Sequence, residues 1–237
     1  VTAANAHPME LEMEKVYHPC VLCSKKRYVG YMYENERSRP KLDAKGIEII
    51  RRDGCPAERK ILEKCLRLLF TSGDLSAVKS YVLRQCDKLE SGRAALMDYV
   101  IASEVRLGTY KSDESAPPGA QVARHREQLD PNDRVQRGER VPFVVVYRQE
   151  SSRLRDLAQR PEAVLFPPLT MLASGQSTEG WAPPRLNAAY YILKRILPAL
   201  ARVFSLIGVD VFRWYKYDLR RSRRPPLDRP IGLAGPR

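Results

Sequence analysis

Apolar and polar positions alternate along "MELEMEKVY", and "HPC" supplies a break before the next strand, whose two faces each mix cationic, aromatic and apolar groups. A period of two sends successive side chains to opposite faces of an extended chain. Residues Met9 to Glu34 therefore predict a β-hairpin or meander, and "SKKRYVGYMYE" reads as one of its strands. The polar stretch "ENERSRPKLD" predicts a turn or short disordered loop, and Ile47 to Ile50 a short strand stopped by Gly54 and Pro56.

From Ala57 the period lengthens. Ile61, Leu62, Cys65, Leu66, Leu69 and Phe70 recur at helical spacing as far as Gly73. Asp74 is placed to cap a second helix through about Leu89, with Leu75, Val78, Val82 and Cys86 inward. Ala94 to Val105 reads as a third, short helix, and "GAQVARHREQLD" as a helix ended by Pro131. The apolar run in "GERVPFVVVY" is a buried strand with Pro142 near its start. Residues Pro167 to Pro184 form an irregular Pro/Gly/Ser-rich loop. The longest helix, Arg185 to Ile207, is expected to bury Leu186, Tyr190, Leu193, Leu197, Leu200, Phe204 and Ile207 and to kink at Pro198. The basic, Pro-rich residues 219–237 read as a disordered tail.

The fold class is thus mixed α/β (α+β): a small antiparallel β portion over residues 1–50, a mostly helical part over 51–218, and the tail. The expected helical core is Leu66, Leu69, Phe70, Val82, Leu193, Leu197 and Phe204.

Charge narrows the function. The chain of 237 residues carries 41 Lys+Arg against 28 Asp+Glu, a formal charge of +13, which points to an anionic partner, nucleic acid before an acidic membrane surface. No apolar run is long enough to cross a bilayer. The opening "VTAANAHPME" lacks the pattern of a secretory signal, and a first residue other than Met suggests a fragment or processed product. Five cysteines suit a reducing compartment. Cys20 and Cys23 form a lone CxxC, and with His18 they offer at most three of the four ligands a structural zinc needs, so buried or half-buried thiols are the expected state. Glu10, Glu12 and Glu14 share a strand face and read as solvated rather than metal-binding. No GxSxG, P-loop, HExxH or triad pattern occurs.

Four blocks in order carry a resemblance: "KKRYVGYMYE", "DAKGIEIIRRDGCP", "GERVPFVVVY" and "RLNAAYYILKRILPALARVFSLIGVDVF". Together, over about Met9 to Tyr215, they resemble the family B DNA polymerases, in particular a translesion type, at the last palm strands followed by the thumb. The resemblance implies a DNA-directed DNA polymerase as parent protein, primer–template DNA as partner, and the nucleus as location. It places Lys25, Lys26 and Tyr28 against the duplex minor groove, and Lys45, Arg51 and Arg52 at the palm-to-thumb crossing where the backbone is gripped. Minor-groove acceptors occur in every base pair, so a lysine there tests duplex geometry without reading sequence. For Arg51, a local ion pair with Asp53 is the alternative.

The family's SLYPS-like and DTD motifs, whose aspartates hold two Mg2+ ions, do not occur in this chain. No catalytic or metal-binding residue is therefore assigned, and the chain alone is expected to be inactive. Mg2+, an iron–sulfur or zinc cysteine cluster, and the contacts to accessory subunits are expected only in other parts of the parent. Residues 167–184 depart from the family pattern as an insertion, and the tail inherits no role. The competing readings are a free-standing basic DNA-binding module and a thiol or zinc protein.

Overall fold

The computed structural model describes residues 9–35, 37–112, 116–148, 154–167, 171, 181 and 183–221. Two three-stranded antiparallel sheets and a set of helices share one main hydrophobic core. The mixed α/β expectation holds.

The first sheet is the meander β1 (Val16–Ser24), β2 (Arg27–Tyr33) and β3 (Lys41–Lys45). β1 begins at Val16, later than the alternation from Met9 predicts, and Met9, Leu11 and Met13 are exposed. The polar loop also ends earlier than expected, because Lys41 to Lys45 pair with β2 from Met32 to Tyr28. Ile47 to Ile50, predicted as a strand, form a turn instead. Gly46 at φ 67° redirects the chain after β3, so Ile47 is buried and joins the core from a turn.

Helix α1 (Pro56–Ser72) has Pro at its first turn, where a missing N–H costs nothing, and ends at Gly73 in the left-handed region. Asp74 accepts from the Ser76 amide at 2.7 Å and starts α2 (Leu75–Glu90). Leu66 and Val82 are fully buried as expected, while Leu69 and Phe70 pack on the core half-buried.

The stretch predicted as a third helix divides into a single 3₁₀ turn, Leu96–Tyr99, and strand β4 (Ile101–Glu104). Pairing decides the matter: Ile101 lies opposite Phe143 on β5 (Arg140–Val145), and a cross-strand apolar pair outweighs local helix preference. Pro142 lies opposite Ala102. β6 (Ala158–Gln159) completes this second sheet, and α3 (Pro118–Leu129), predicted as a helix, packs on it. The part expected to be mostly helical therefore contains a sheet of its own. Two single-turn helices, α4 (Leu154–Leu157) and α5 (Glu162–Leu165), flank β6.

The longest helical run, α6, is composite: α-helical at Ala188–Tyr190, π-helical at Tyr191–Ile196, α-helical at Leu197–Phe204 and 3₁₀ at Ser205–Ile207. Pro198 cannot donate to the carbonyl four residues back, and its ring crowds that carbonyl. The wide turn just before it takes up this conflict. Within it Tyr191, Ile192 and Ile196 point inward and Leu193, predicted inward, is exposed; Ile207, also predicted inward, is exposed in the closing 3₁₀ turn. Leu197, Leu200 and Phe204 are buried as predicted. The Tyr191 hydroxyl, fully buried, donates to the Tyr99 carbonyl at 2.8 Å and accepts from the Val145 amide at 2.9 Å, joining α6 to the second sheet.

Residues 219–221, predicted as part of a disordered tail, lie in helix α7 (Val211–Arg221). The rest of that tail and most of the predicted insertion at 167–184 lie outside the described residues. No helix among the described residues is long and apolar enough to cross a membrane.

Candidate nucleic-acid interface

The basic stretch near the start of the chain is a hairpin tip. Register pairs Ser24 with Arg27, so Lys25 and Lys26 are the two turn residues and do not belong to a continuous strand. Lys26 adopts φ 65°, a left-handed conformation that costs a non-glycine residue about 1 kcal/mol. The turn thereby presents two adjacent ammonium groups to solvent. Tyr28, half-buried, lies opposite Lys45 at the end of β3 and meets the Tyr17 ring edge-on at 5.6 Å. A Cβ on Gly46 would stand 2.3 Å from the Lys26 carbonyl oxygen, so this glycine lets the tip fold against the end of β3.

Lys25, Lys26, Tyr28 and Lys45 are therefore brought to one end of one sheet. No ion pair engages these three lysines among the described residues, and all three are exposed. The carboxylate nearest along β3, Asp43, is occupied elsewhere: it accepts from the Tyr17 hydroxyl at 2.5 Å and meets Lys15 at 3.7 Å. The Tyr17 hydroxyl and Lys15 hold the Asp43 carboxyl below its ordinary range.

Arg51 and Arg52 occupy the connection between β3 and α1. Arg51 forms a two-pronged pair with Asp53, Nε to Oδ1 at 2.9 Å and Nη2 to Oδ2 at 2.5 Å, the local pairing weighed from sequence. Hydrogen bonding to Arg51 lowers the Asp53 carboxyl accordingly. The Arg52 side chain is exposed and in no ion pair among the described residues, while its backbone carbonyl accepts from Arg140 at 3.3 Å.

The connection is held by contacts that sequence reasoning missed. Glu58, 4% exposed, receives Arg195 of α6 through Nε at 3.1 Å and Nη2 at 2.9 Å; Nη2 also donates to the Asp53 carbonyl at 3.1 Å. Glu48, 7% exposed, pairs with Arg202 one helical stretch further along. Burial pushes the Glu58 carboxyl above its ordinary range even though Arg195 opposes the shift. A Cβ on Gly54 would lie 2.7 Å from Glu58 Oε2, so a larger residue there would have to push the carboxylate of this ion pair aside. Two cations seven positions apart on α6 thus bind two glutamates ten positions apart, one on the connection and one in the first turn of α1, a match that becomes visible only when both elements are in place.

The cysteines do not assemble a centre among the described residues. Cys20 is exposed, Cys23 half-buried, and Cys55, Cys65 and Cys86 are buried; none of the five is in a disulfide. Burial pushes Cys55 up to about 11 and Cys65 to about 12, and raises Cys20 and Cys23, so none of these four is favoured as thiolate. No group of three or more His, Cys, Asp or Glu placed to hold a metal ion occurs among the described residues. The donors for the Mg2+ ions that the resemblance implies are not assembled among the described residues.

The chain is similar to the DNA polymerase zeta catalytic subunits of mouse (47% identity over 236 residues, 99% of this chain and 7% of that protein), Arabidopsis thaliana (45% over 234 residues, 98% and 12%) and Saccharomyces cerevisiae (42% over 225 residues, 94% and 14%). It thus spans a small part of the length of these relatives. Its fold is similar to that of the family B DNA polymerase from Pyrobaculum calidifontis, with a TM-score of 0.56 at 21% identity over 86% of this chain and 23% of that one. The family model for DNA polymerase family B matches residues 1–207, and the chain belongs to that family.

Proposed function

We propose that this chain is the palm-end and thumb portion of a DNA-directed DNA polymerase of the zeta type, and that it holds primer–template duplex behind an active site supplied by other parts of the protein. Residues 1–50 form the end of the palm and residues 51–218 the thumb. The observation that carries this reading is the convergence of Lys25, Lys26 and Lys45 with Tyr28 at one end of the first sheet, with no carboxylate neutralising the lysines among the described residues.

Unpaired cations on a rigid edge suit a polyanion. Lys25, Lys26 and Tyr28 meet the minor groove, whose acceptors every base pair presents, and Lys45 and Arg52 meet phosphates. Arg51 joins them by exchanging Asp53 for a phosphate; both partners are more than two-fifths exposed, so the pair is weak enough to open. The two buried ion pairs on α6 keep the palm-to-thumb connection, and with it Arg51 and Arg52, in place relative to the sheet.

The parent enzyme's Mg2+ ions and cysteine cluster, its accessory subunits and its translesion activity belong to segments outside this chain, and the parent works in the nucleus. Similarity of 42–47% to zeta catalytic subunits supports the polymerase reading on which these expectations rest. The test is equilibrium binding of the 237-residue chain to duplexes of unrelated sequence. Equal affinities are expected, lowered in each of Lys25→Ala and Lys45→Ala. Affinity that depends on sequence, or that both variants retain, would sink the assignment.

A further inference from the structure

The first sheet has two edges, and they are protected unequally. β3, at one edge, is five residues long with a lysine at each end, Lys41 and Lys45, a charge placement that keeps an edge from taking another strand. β1, at the other, is nine residues long, and from Val16 to Ser24 it carries no Lys, Arg, Asp or Glu. No strand besides β2 pairs with β1 among the described residues, so its outer side is an open edge. Val16 and Leu22 are 47% and 74% exposed, and Cys20 is exposed between them. An uncharged, apolar-rich edge of this length is a template for a further strand.

The charges lie just outside that stretch and are sorted by sign. Before it, Glu10, Glu12 and Glu14 are exposed and in no ion pair among the described residues, while Lys15 is drawn to Asp43 at 3.7 Å. After it, Lys25, Lys26 and Arg27 are exposed and likewise in no ion pair among the described residues. An edge that is acidic at one end and basic at the other is complementary to a reversed copy of itself. Antiparallel pairing about a two-fold axis near Pro19, midway between the two charged groups, sets the glutamates of each copy beside the cations of the other. Parallel pairing would set like charges together, and a basic peptide or a nucleic acid would match one half of the edge and be repelled by the other. Pro19 has no N–H, so the ladder forms in the two halves on either side of it, each ending at a charged group.

We infer that the β1 edge is a self-association surface, where two copies of this chain join into one six-stranded antiparallel sheet. The two-fold closes the contact: each β1 is used once and β3 with its lysines stays outermost, so growth stops at the dimer. The ion pairs across it are exposed, so salt weakens the dimer. The inference rests on the edge and its charges alone and is independent of the duplex-holding reading.

The test is sedimentation equilibrium of the 237-residue chain at low salt, beside Glu12→Lys/Glu14→Lys, Lys25→Glu/Lys26→Glu and Leu22→Lys, all at exposed positions. The unaltered chain is expected at twice 27.1 kDa, with a dissociation constant that rises with salt. Each charge-reversed variant alone sets like charges opposite one another, and its dimer is expected to be at least about 10-fold weaker. An equimolar mixture of the two pairs a largely acidic edge with a largely basic one and should restore the dimer, which also shows that both are folded. Leu22→Lys puts a charge into the uncharged stretch and should weaken the dimer similarly. A monomer at every concentration up to roughly 100 µM overturns the inference. So does a dimer that the charge reversals or Leu22→Lys leave intact, an assembly that keeps growing past two copies, or a loss in both reversed variants that mixing does not repair while their far-UV circular dichroism is unchanged.

Discussion

Replacing Arg195 with methionine probes the contact that joins α6 to the start of α1 and the connection before it. The change keeps an aliphatic stem and removes the guanidinium. Glu58 then stays 4% exposed with its arginine donors gone, and the Asp53 carbonyl loses the Nη2 donor at 3.1 Å. Removing one member of a buried pair costs about 3–5 kcal/mol because the remaining charge is stranded. Arg195 is 25% exposed, so water can reach the vacated site and the lower end, about 3 kcal/mol, applies. For a domain of this size that is a fall in Tm of roughly 6–12 °C. Urea unfolding at neutral pH measures it directly.

The pH dependence of the loss has a definite sign. Burial already holds the folded Glu58 carboxyl above its unfolded value, so its favourable contribution is complete below the unfolded value and declines as pH rises through the folded one. Without Arg195 the folded value climbs further, and the deficit at neutral pH grows. Acidification toward about pH 5 should therefore narrow the gap between Arg195→Met and the unaltered chain. Adding Glu58→Gln should recover part of the loss, since a neutral amide strands no charge. A deficit below about 0.5 kcal/mol, or one constant across pH and additive with Glu58→Gln, would refute the idea that a buried charge pair holds this connection.

Three other perturbations test the framework. Tyr191→Phe leaves the buried Val145 amide and Tyr99 carbonyl without the hydroxyl that serves both, and should cost about 1–3 kcal/mol in urea unfolding; a loss under 0.5 kcal/mol would contradict it. Gly54→Ala places a methyl 2.7 Å from Glu58 Oε2 and should destabilise by about 1–3 kcal/mol, so a thermal melt that does not move would show the crossing to be looser than described. Tyr17→Phe removes the hydroxyl that, first among its neighbours, depresses the Asp43 carboxyl. A depressed carboxyl contributes stability above its unfolded value and loses it as pH falls through the folded one, so the variant should be about 1 kcal/mol weaker at neutral pH and converge with the unaltered chain in acid; a gap that persists in acid would mean the hydroxyl acts by packing alone.

Elements whose signals are local were legible in the sequence. The helix α1 stops at Gly73 and α2 starts at Asp74 because a left-handed glycine and a capping carboxylate act within a few residues, and the buried run of β5 declares itself. What depends on distant partners was not. β4 is a strand because Ile101 meets Phe143, and β3 because Lys41 to Lys45 complete the edge of β2. Leu193 points outward because it lies within the π-helical turn Tyr191–Ile196, where an even 3.6-residue count does not hold. At the candidate interface the basic residues were visible as types, yet their roles separated only in three dimensions. Lys25 and Lys26 form a turn, Arg51 is bound to Asp53, and Arg195 finds Glu58 across 137 residues. Nothing in the order of letters distinguishes Arg195, which is bound to a buried glutamate, from Lys194 beside it, which has no ion pair among the described residues.

The central claim is that an unneutralised basic edge grips duplex DNA through charge and without reading sequence. Its most direct test is the salt dependence of duplex binding by the 237-residue chain and by a Lys25→Ala/Lys45→Ala/Arg52→Ala variant. The account predicts a linear fall of log K with log salt, and a slope flatter by about 1 for each of the three cations that meets a phosphate, Lys45 and Arg52 foremost. An identical slope and affinity in the two proteins would contradict it.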